Sequence, residues 1–140
     1  MLNSMFSDKK ILAVTMKTKF SGKFNQLLKR AKTDENIIGL LNKAKSNSSS
    51  SLNSNNYGVH FESNYMVYFI GDTYSAQSSS NERVDFESGT TLQSGIGSNI
   101  VFPRLTGDVI GYGTIVVKLT ALSSRTKTVT ITKTGAISAN

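Results

Sequence analysis

The sequence predicts an α+β protein in which an N-terminal helix packs on an antiparallel β-sheet meander. Apolar residues first recur at steps of three and four, which indicates a helix, and beyond residues 46–56 they recur at every second position, which indicates strands. The predicted strands are joined by links of hairpin length, and the pattern contains no strand-helix-strand unit. One helix followed by about six short strands favours a helix on one face of an antiparallel sheet.

The helical pattern begins at Phe24 and should end near Ser46. Thr33 or Asp34 has the side-chain oxygen that caps a helix, here one starting at Glu35, so two helices or one kinked helix both fit the pattern. We expect one apolar set, called the helix-packing stripe, to face the sheet. It consists of Ile37, Ile38, Leu41 and Ala44.

Two segments flank this helix. Residues 1–20 mix charges with apolar residues without a clean period, which fits a short strand or a frayed arm. Residues 1–32 as a whole are expected to be a basic N-terminal arm or the start of the helix. Residues 46–56, SNSSSSLNSNN, have short polar side chains that compete for backbone hydrogen bonds, which indicates a loop. We therefore expect an α+β head domain over residues 33–140, with residues 1–32 outside it or leading into it.

The strand region opens with a hairpin. Tyr57, Val59 and Phe61 alternate with His60 and Glu62, which predicts a half-buried strand whose histidine faces solvent. A run that is apolar on both faces follows at 65–70. Shorter strands are expected near 84–86, 92–96 and 100–102, and a clearly alternating pair at 114–119 and 128–132.

The formal net charge of +7 lies entirely in residues 1–50, which hold ten Lys or Arg against three acids. The remaining 90 residues hold six of each sign and have no net charge to attract phosphate. A helix that buries one stripe turns its other side to water, so a solvated lysine face is one interpretation and a nucleic-acid-binding segment is the other. This basic contact surface consists of Lys23, Lys29, Arg30, Lys32, Lys43 and Lys45.

Little in the sequence indicates catalysis or a cofactor. The chain has no cysteine and one histidine, His60, so thiolate chemistry is excluded and a metal site would depend on scattered carboxylates. The glycines form neither a P-loop nor a dinucleotide-binding pattern. No apolar run approaches the roughly 20 residues of a membrane-spanning helix. We expect no enzyme activity, no metal and no cofactor.

Residues 34–140 resemble the globular head of type IV pilin-like proteins, and most of all the minor pseudopilins of the general secretion pathway H and fimbrial T type. The resemblance is carried by the helix tail IIGLLNKAKS, the polar loop, the hairpin YGVHFES and NYMVYFIGDTYS, the segment VFPRLTG and the closing strands GTIVVKLT and KTVTITKTGAIS. In that family an apolar N-terminal helix, cut before an FTLIE-like segment, anchors and polymerises the subunit. No GFTLxE motif precedes the helix here, and residues 1–32 are basic.

The resemblance implies a non-catalytic structural subunit of a type IV pilus or a type II secretion filament. Its partners would be other pilin-like subunits, with DNA or a secreted substrate as further candidates, and its location the cell envelope or an extracellular filament. A membrane becomes a partner only if the missing apolar helix is present.

Overall fold

The structure is a computed structural model that describes the backbone of residues 2–105 and 107–140 and the side chains of residues 25–105 and 107–140. It contains one helix, a short 3-10 turn at Leu52–Ser54 and eight strands. The helix is α1 (Leu2–Ser49), and the strands are β1 (Tyr57–Phe61), β2 (Tyr65–Ile70), β3 (Glu82–Asp85), β4 (Thr90–Ser94), β5 (Asn99–Phe102), β6 (Gly113–Leu119), β7 (Thr126–Ile131) and β8 (Ile137–Ala139).

The α+β class is confirmed, but the strands form two sheets instead of one. The first sheet has the order β3-β2-β1-β5 and the second the order β4-β6-β7-β8, and all pairings are antiparallel. The chain leaves the first sheet for β4, returns for β5 and leaves again for β6. Both sheets contribute their apolar faces to one core that also contains the helix-packing side of α1. A single sheet could not cover so many apolar strand faces with one helix.

The helix is continuous for 48 residues, about 72 Å at 1.5 Å per residue. Residues 2–32 are therefore the first part of this helix, which was one of the alternatives for that segment. The short strand considered as an alternative within residues 1–20 was wrong, because residues 2–20 are helical. Thr33 and Asp34 lie inside the helix and are buried, so neither caps a helix that starts at Glu35. Packing against the head holds this stretch helical without a break.

The helix ends three residues beyond Ser46, at Ser49, and Ser51 then adopts a left-handed conformation with φ of 56°. Ser48 links this end to the head. Its carbonyl oxygen accepts hydrogen bonds from the backbone N–H groups of Ser51 (3.0 Å) and Leu105 (2.8 Å), and its hydroxyl accepts one from Tyr57 N–H (3.1 Å). The two bonds to the carbonyl oxygen satisfy an acceptor that the C-terminal end of a helix leaves without a partner.

The first hairpin is more deeply buried than its pattern predicts. All five residues of β1 are buried, because β1 lies between β2 and β5 and both of its faces are covered. On the outer face of the first sheet, Val67, Phe69 and Val101 are also buried. Tyr74, from the loop between β2 and β3, packs on that face with its ring 5.8 Å from Phe69. The outer face is therefore a second, smaller apolar layer beneath a loop.

Candidate functional site

Three members of the helix-packing stripe, Ile37, Leu41 and Ala44, are fully buried in the core that α1 shares with both sheets. Ile38 is partly buried and packs at the edge of that core. Leu40 is also buried, although the stripe did not include it. The predicted stripe excluded Leu40 because it assumed that one sheet covers the helix. Two sheets cover a wider arc of the helix surface.

The upstream members of the basic contact surface contact the loop that joins β3 and β4. Lys29 Nζ donates a hydrogen bond to Ser88 Oγ at 3.1 Å. Lys32 Nζ lies 3.2 Å from a carboxylate oxygen of Glu87. The side chain of Lys23 lies outside the described residues. Exposed pairs of this kind contribute little to stability, but they direct these lysines toward the head.

The downstream members lie on opposite flanks of the helix. Lys43 Nζ donates to Glu82 Oε2 at 2.6 Å and lies 4.5 Å from the centre of the Tyr68 ring, on the side of the first sheet. Lys45 Nζ donates to the carbonyl oxygen of Gly135 at 2.8 Å, on the side of the second sheet. The basic residues therefore do not form one solvated face. They border the helix on both sides, where the rims of the sheets offer oxygen acceptors.

Arg30 and Asp34 lie one helical turn apart where α1 meets the second sheet. The Asp34 residue is 4% exposed, and neither carboxylate oxygen has a hydrogen-bond partner among the described residues. The Nε atom of Arg30 is likewise buried without a partner in that part of the chain. Burial raises the pKa of Asp34 from 3.8 to about 6, although Arg30 and Lys127 act to lower it. Sequence reasoning treated Asp34 as a cap and missed this group.

His60 is buried, contrary to the prediction that it faces solvent. Its Nε2 atom lies 2.7 Å from Glu62 Oε1, and its Nδ1 atom lies 2.5 Å from Asn99 Oδ1. The ring of Tyr74 stacks on the imidazole with centroids 3.9 Å apart and planes 4° apart. Glu62 follows His60 by two positions on the same strand face, a signal that the alternation contained. Asn99 and Tyr74 are brought there only by the tertiary fold.

These contacts explain how the polar side chain of His60 can be buried in a strand beneath a loop. Both ring nitrogens are engaged by oxygen atoms, and one ring face is covered by Tyr74. A general base needs a nitrogen free to take a proton from a substrate or nucleophile. The His60 group is therefore arranged to hold the loop between β2 and β3 against the sheet.

A cleft of about 360 Å³ opens where the end of α1 meets both sheets. Lys45 and Ser49 line it from the helix, Phe102 from β5, and Thr134 and Gly135 from the turn before β8. Its remaining wall is the connecting segment, residues 103–112, which joins β5 to β6. Pro103 lies directly after β5, a position suited to a residue that has no backbone N–H to donate to a neighbouring strand.

The connecting segment also concentrates exposed apolar side chains. Leu105, Ile110 and Tyr112 are exposed by 54%, 56% and 53%. Backbone hydrogen bonds of 2.9 Å in both directions pair Ile110 with Val101, so the segment meets the free side of β5 at Ile110. Clustered apolar groups on a surface mark contact sites more often than single exposed residues do. This segment and the cleft beside it form the candidate interaction surface.

Within the described residues, no helix has a stretch long and apolar enough to span a membrane. In the same part of the chain, no three His, Asp or Glu side chains are grouped as metal ligands would be. Comparison with known proteins adds no constraint, since no protein-family model, curated protein or solved structure matches the chain.

Proposed function

We propose that this protein is a non-catalytic structural subunit, similar to a minor pilin or pseudopilin, of a type IV pilus or type II secretion filament. The observation that carries the proposal is the architecture. One long N-terminal helix packs its C-terminal half into a head made entirely of antiparallel strands. The proposed partners are other pilin-like subunits, and the proposed location is the cell envelope or an extracellular filament.

The packing of α1 suits a subunit that must transmit force between helix and head. Ile37, Leu41 and Ala44 share one core with both sheets, and Ser48 bonds the helix end to Tyr57 and to the connecting segment. Separating helix from head would expose this core to water, at roughly 25 cal/mol per Å² of apolar surface. The docked half of α1 therefore behaves as part of the head.

The candidate interaction surface supports contact with a neighbour. Leu105, Ile110 and Tyr112 lie within eight residues of one another beside the cleft, and Tyr is a residue type enriched in interfaces. The His60 group supports the non-catalytic part of the proposal, because both imidazole nitrogens already have partners. We expect assembly, and not turnover, to be the activity of this chain.

Site-specific crosslinking in cells of the source organism tests the proposal. A photo-reactive residue at Tyr112 should crosslink to a protein identified by mass spectrometry as pilin-like. The matched control is Ser124, an exposed residue in the loop at the opposite end of β6, where we expect much weaker crosslinking. A freely soluble protein with no crosslink to a pilin-like subunit from either position would contradict the proposal.

The nucleic-acid alternative gains no specific support from the described residues. Lys29, Lys32, Lys43 and Lys45 each have an oxygen partner within the head. Binding to duplex DNA that weakens steeply between 50 and 200 mM salt, on the order of 10³-fold for several phosphate contacts, would favour that alternative.

A further inference from the structure

Residues 30–36 of α1, called the latch segment, contact the second sheet upstream of Ile37, which lies in the core shared with both sheets. Thr33 Oγ1 and Thr90 Oγ1 share a buried hydrogen bond of 3.1 Å, and Thr33 Oγ1 also accepts one from Glu87 N–H at 3.2 Å. Asp34 is the next residue. Its carboxylate is buried at the same interface without a hydrogen-bond partner among the described residues.

The charged groups near Asp34 come from two elements. Arg30 and Glu35 are on α1 itself, and Lys127 comes from β7. Lys127 is opposite Val117, so it lies on the core-facing side of the second sheet. Glu87, which precedes β4, is already paired with Lys32.

The core-facing positions of the other strands in this sheet are uncharged. They are Thr90 and Leu92 of β4, Ile115, Val117 and Leu119 of β6, and Ile137 and Ala139 of β8. No group on those strands can compensate the Asp34 charge.

Two positive groups nearby do not stabilise the ionised carboxylate fully. Neither Arg30 nor Lys127 comes within 4.0 Å of an Asp34 oxygen in the described part of the chain. A buried, ionised carboxylate without hydrogen bonds loses its hydration, and no interaction of similar strength in the protein replaces it. Burial is accordingly the largest influence on its pKa, which rises from 3.8 to about 6.

The sign of the effect follows from the two states of the segment. When the segment is docked, Asp34 holds its proton up to about pH 6, and when it is undocked the carboxyl is solvated and ionises near 3.8. The docked state therefore binds more protons between about pH 4 and 6. Docking is strongest at low pH, weakens as the pH rises through that window and levels off above about pH 6.

We propose that the latch segment is a proton-controlled contact, closed on the second sheet while the Asp34 carboxyl is protonated and loosened when it is ionised. Loosening separates Thr33 from Thr90 and lets water reach Asp34, Arg30 and Lys127. The helix downstream stays docked, because Leu41 and Ala44 are buried between both sheets. This latch does not depend on the proposed assembly role and would operate in an isolated subunit.

Native-state hydrogen exchange of the full chain, measured between pH 4 and 7.5 and corrected for intrinsic exchange rates, tests the proposal. We expect the open fraction of residues 30–36 and of the facing residues 126–129 to rise roughly 50-fold across that range. Residues 57–70, in the first sheet, supply the internal reference and should change little. In Asp34→Asn, which has no titratable group at this position, the rise should disappear.

Glu35→Gln is the matched control, because Glu35 is the exposed neighbour on the same helix and its loss should leave most of the rise in place. A second measurement covers the case in which Asp34→Asn does not fold. The ¹³C shift of the Asp34 carboxyl in the unmodified protein should titrate near pH 6. Titration near 3.8, or a pH profile in Asp34→Asn equal to that of the unmodified chain, would overturn the proposal.

Discussion

Leu41→Ala tests the packing of α1 on which the proposed role depends. Leu41 is fully buried in the core shared by the helix and both sheets. The substitution removes three carbon atoms, which at about 0.8 kcal/mol each gives about 2.4 kcal/mol of lost transfer energy. The cavity left behind adds to this, so we expect the free energy of unfolding to fall by about 3 to 4 kcal/mol.

Gly39→Ala is the matched control on the same helix. Gly39 is exposed, and a Cβ atom added there meets no other atom within 4 Å. Alanine is favoured over glycine inside a helix by about 1 kcal/mol, so this variant should be more stable than the original chain.

Urea denaturation followed by circular dichroism at one pH measures both variants, with m-values compared to check that the same surface unfolds. If Leu41→Ala cost less than about 1 kcal/mol, the helix would not be packed in the core as described. A loss of stability in Gly39→Ala would mean that this face of the helix is covered.

Three further variants test other parts of the structure. Gly58→Ala should destabilise the protein by about 1 to 3 kcal/mol in thermal denaturation, because its Cβ would overlap the Phe69 ring, and Phe69→Leu in the same chain should recover part of the loss. Asp34→Asn should raise the free energy of unfolding by up to about 3 kcal/mol at pH 8, where the buried carboxylate is ionised, and by little at pH 4. Urea denaturation at both pH values measures the difference. Tyr74→Ala removes the ring that covers His60, so limited proteolysis should cut residues 71–81 faster than in the original chain. Equal rates of cleavage would contradict the role given to that ring.

The last strands show most clearly how much of the fold could be predicted from the sequence. The alternation of Ile115, Val117 and Leu119 with Thr114, Val116 and Lys118 matches the burial pattern of β6, because one face of that strand meets the core and the other is partly open to water. The same reasoning failed at β1, where all five residues are buried. Alternation of apolar and polar residues indicates a strand with one face exposed to solvent. It cannot show that a loop distant in sequence covers that second face.

The candidate site likewise has some features that the sequence could predict and others that it could not. A helical stripe containing Ile37, Leu41 and Ala44 can be read from spacing alone, since helical periodicity is a local property. The partners of Lys43 and Lys45 cannot, because Glu82 and the Gly135 carbonyl lie 39 and 90 positions away along the chain. An interpretation based on sequence alone placed those lysines on one solvated face, whereas the structure places them on opposite flanks.

By itself, the sequence determined the order of a helix followed by antiparallel strands, because backbone geometry makes apolar periods of 3.6 and 2 diagnostic of the two elements. Only the tertiary structure decided that the strands divide into two sheets, that His60 lies beneath Tyr74 and that Asp34 is buried without a partner. Those features arise from contacts between residues far apart in the chain. Their energies depend on which surfaces exclude water together, and that information is absent from local spacing.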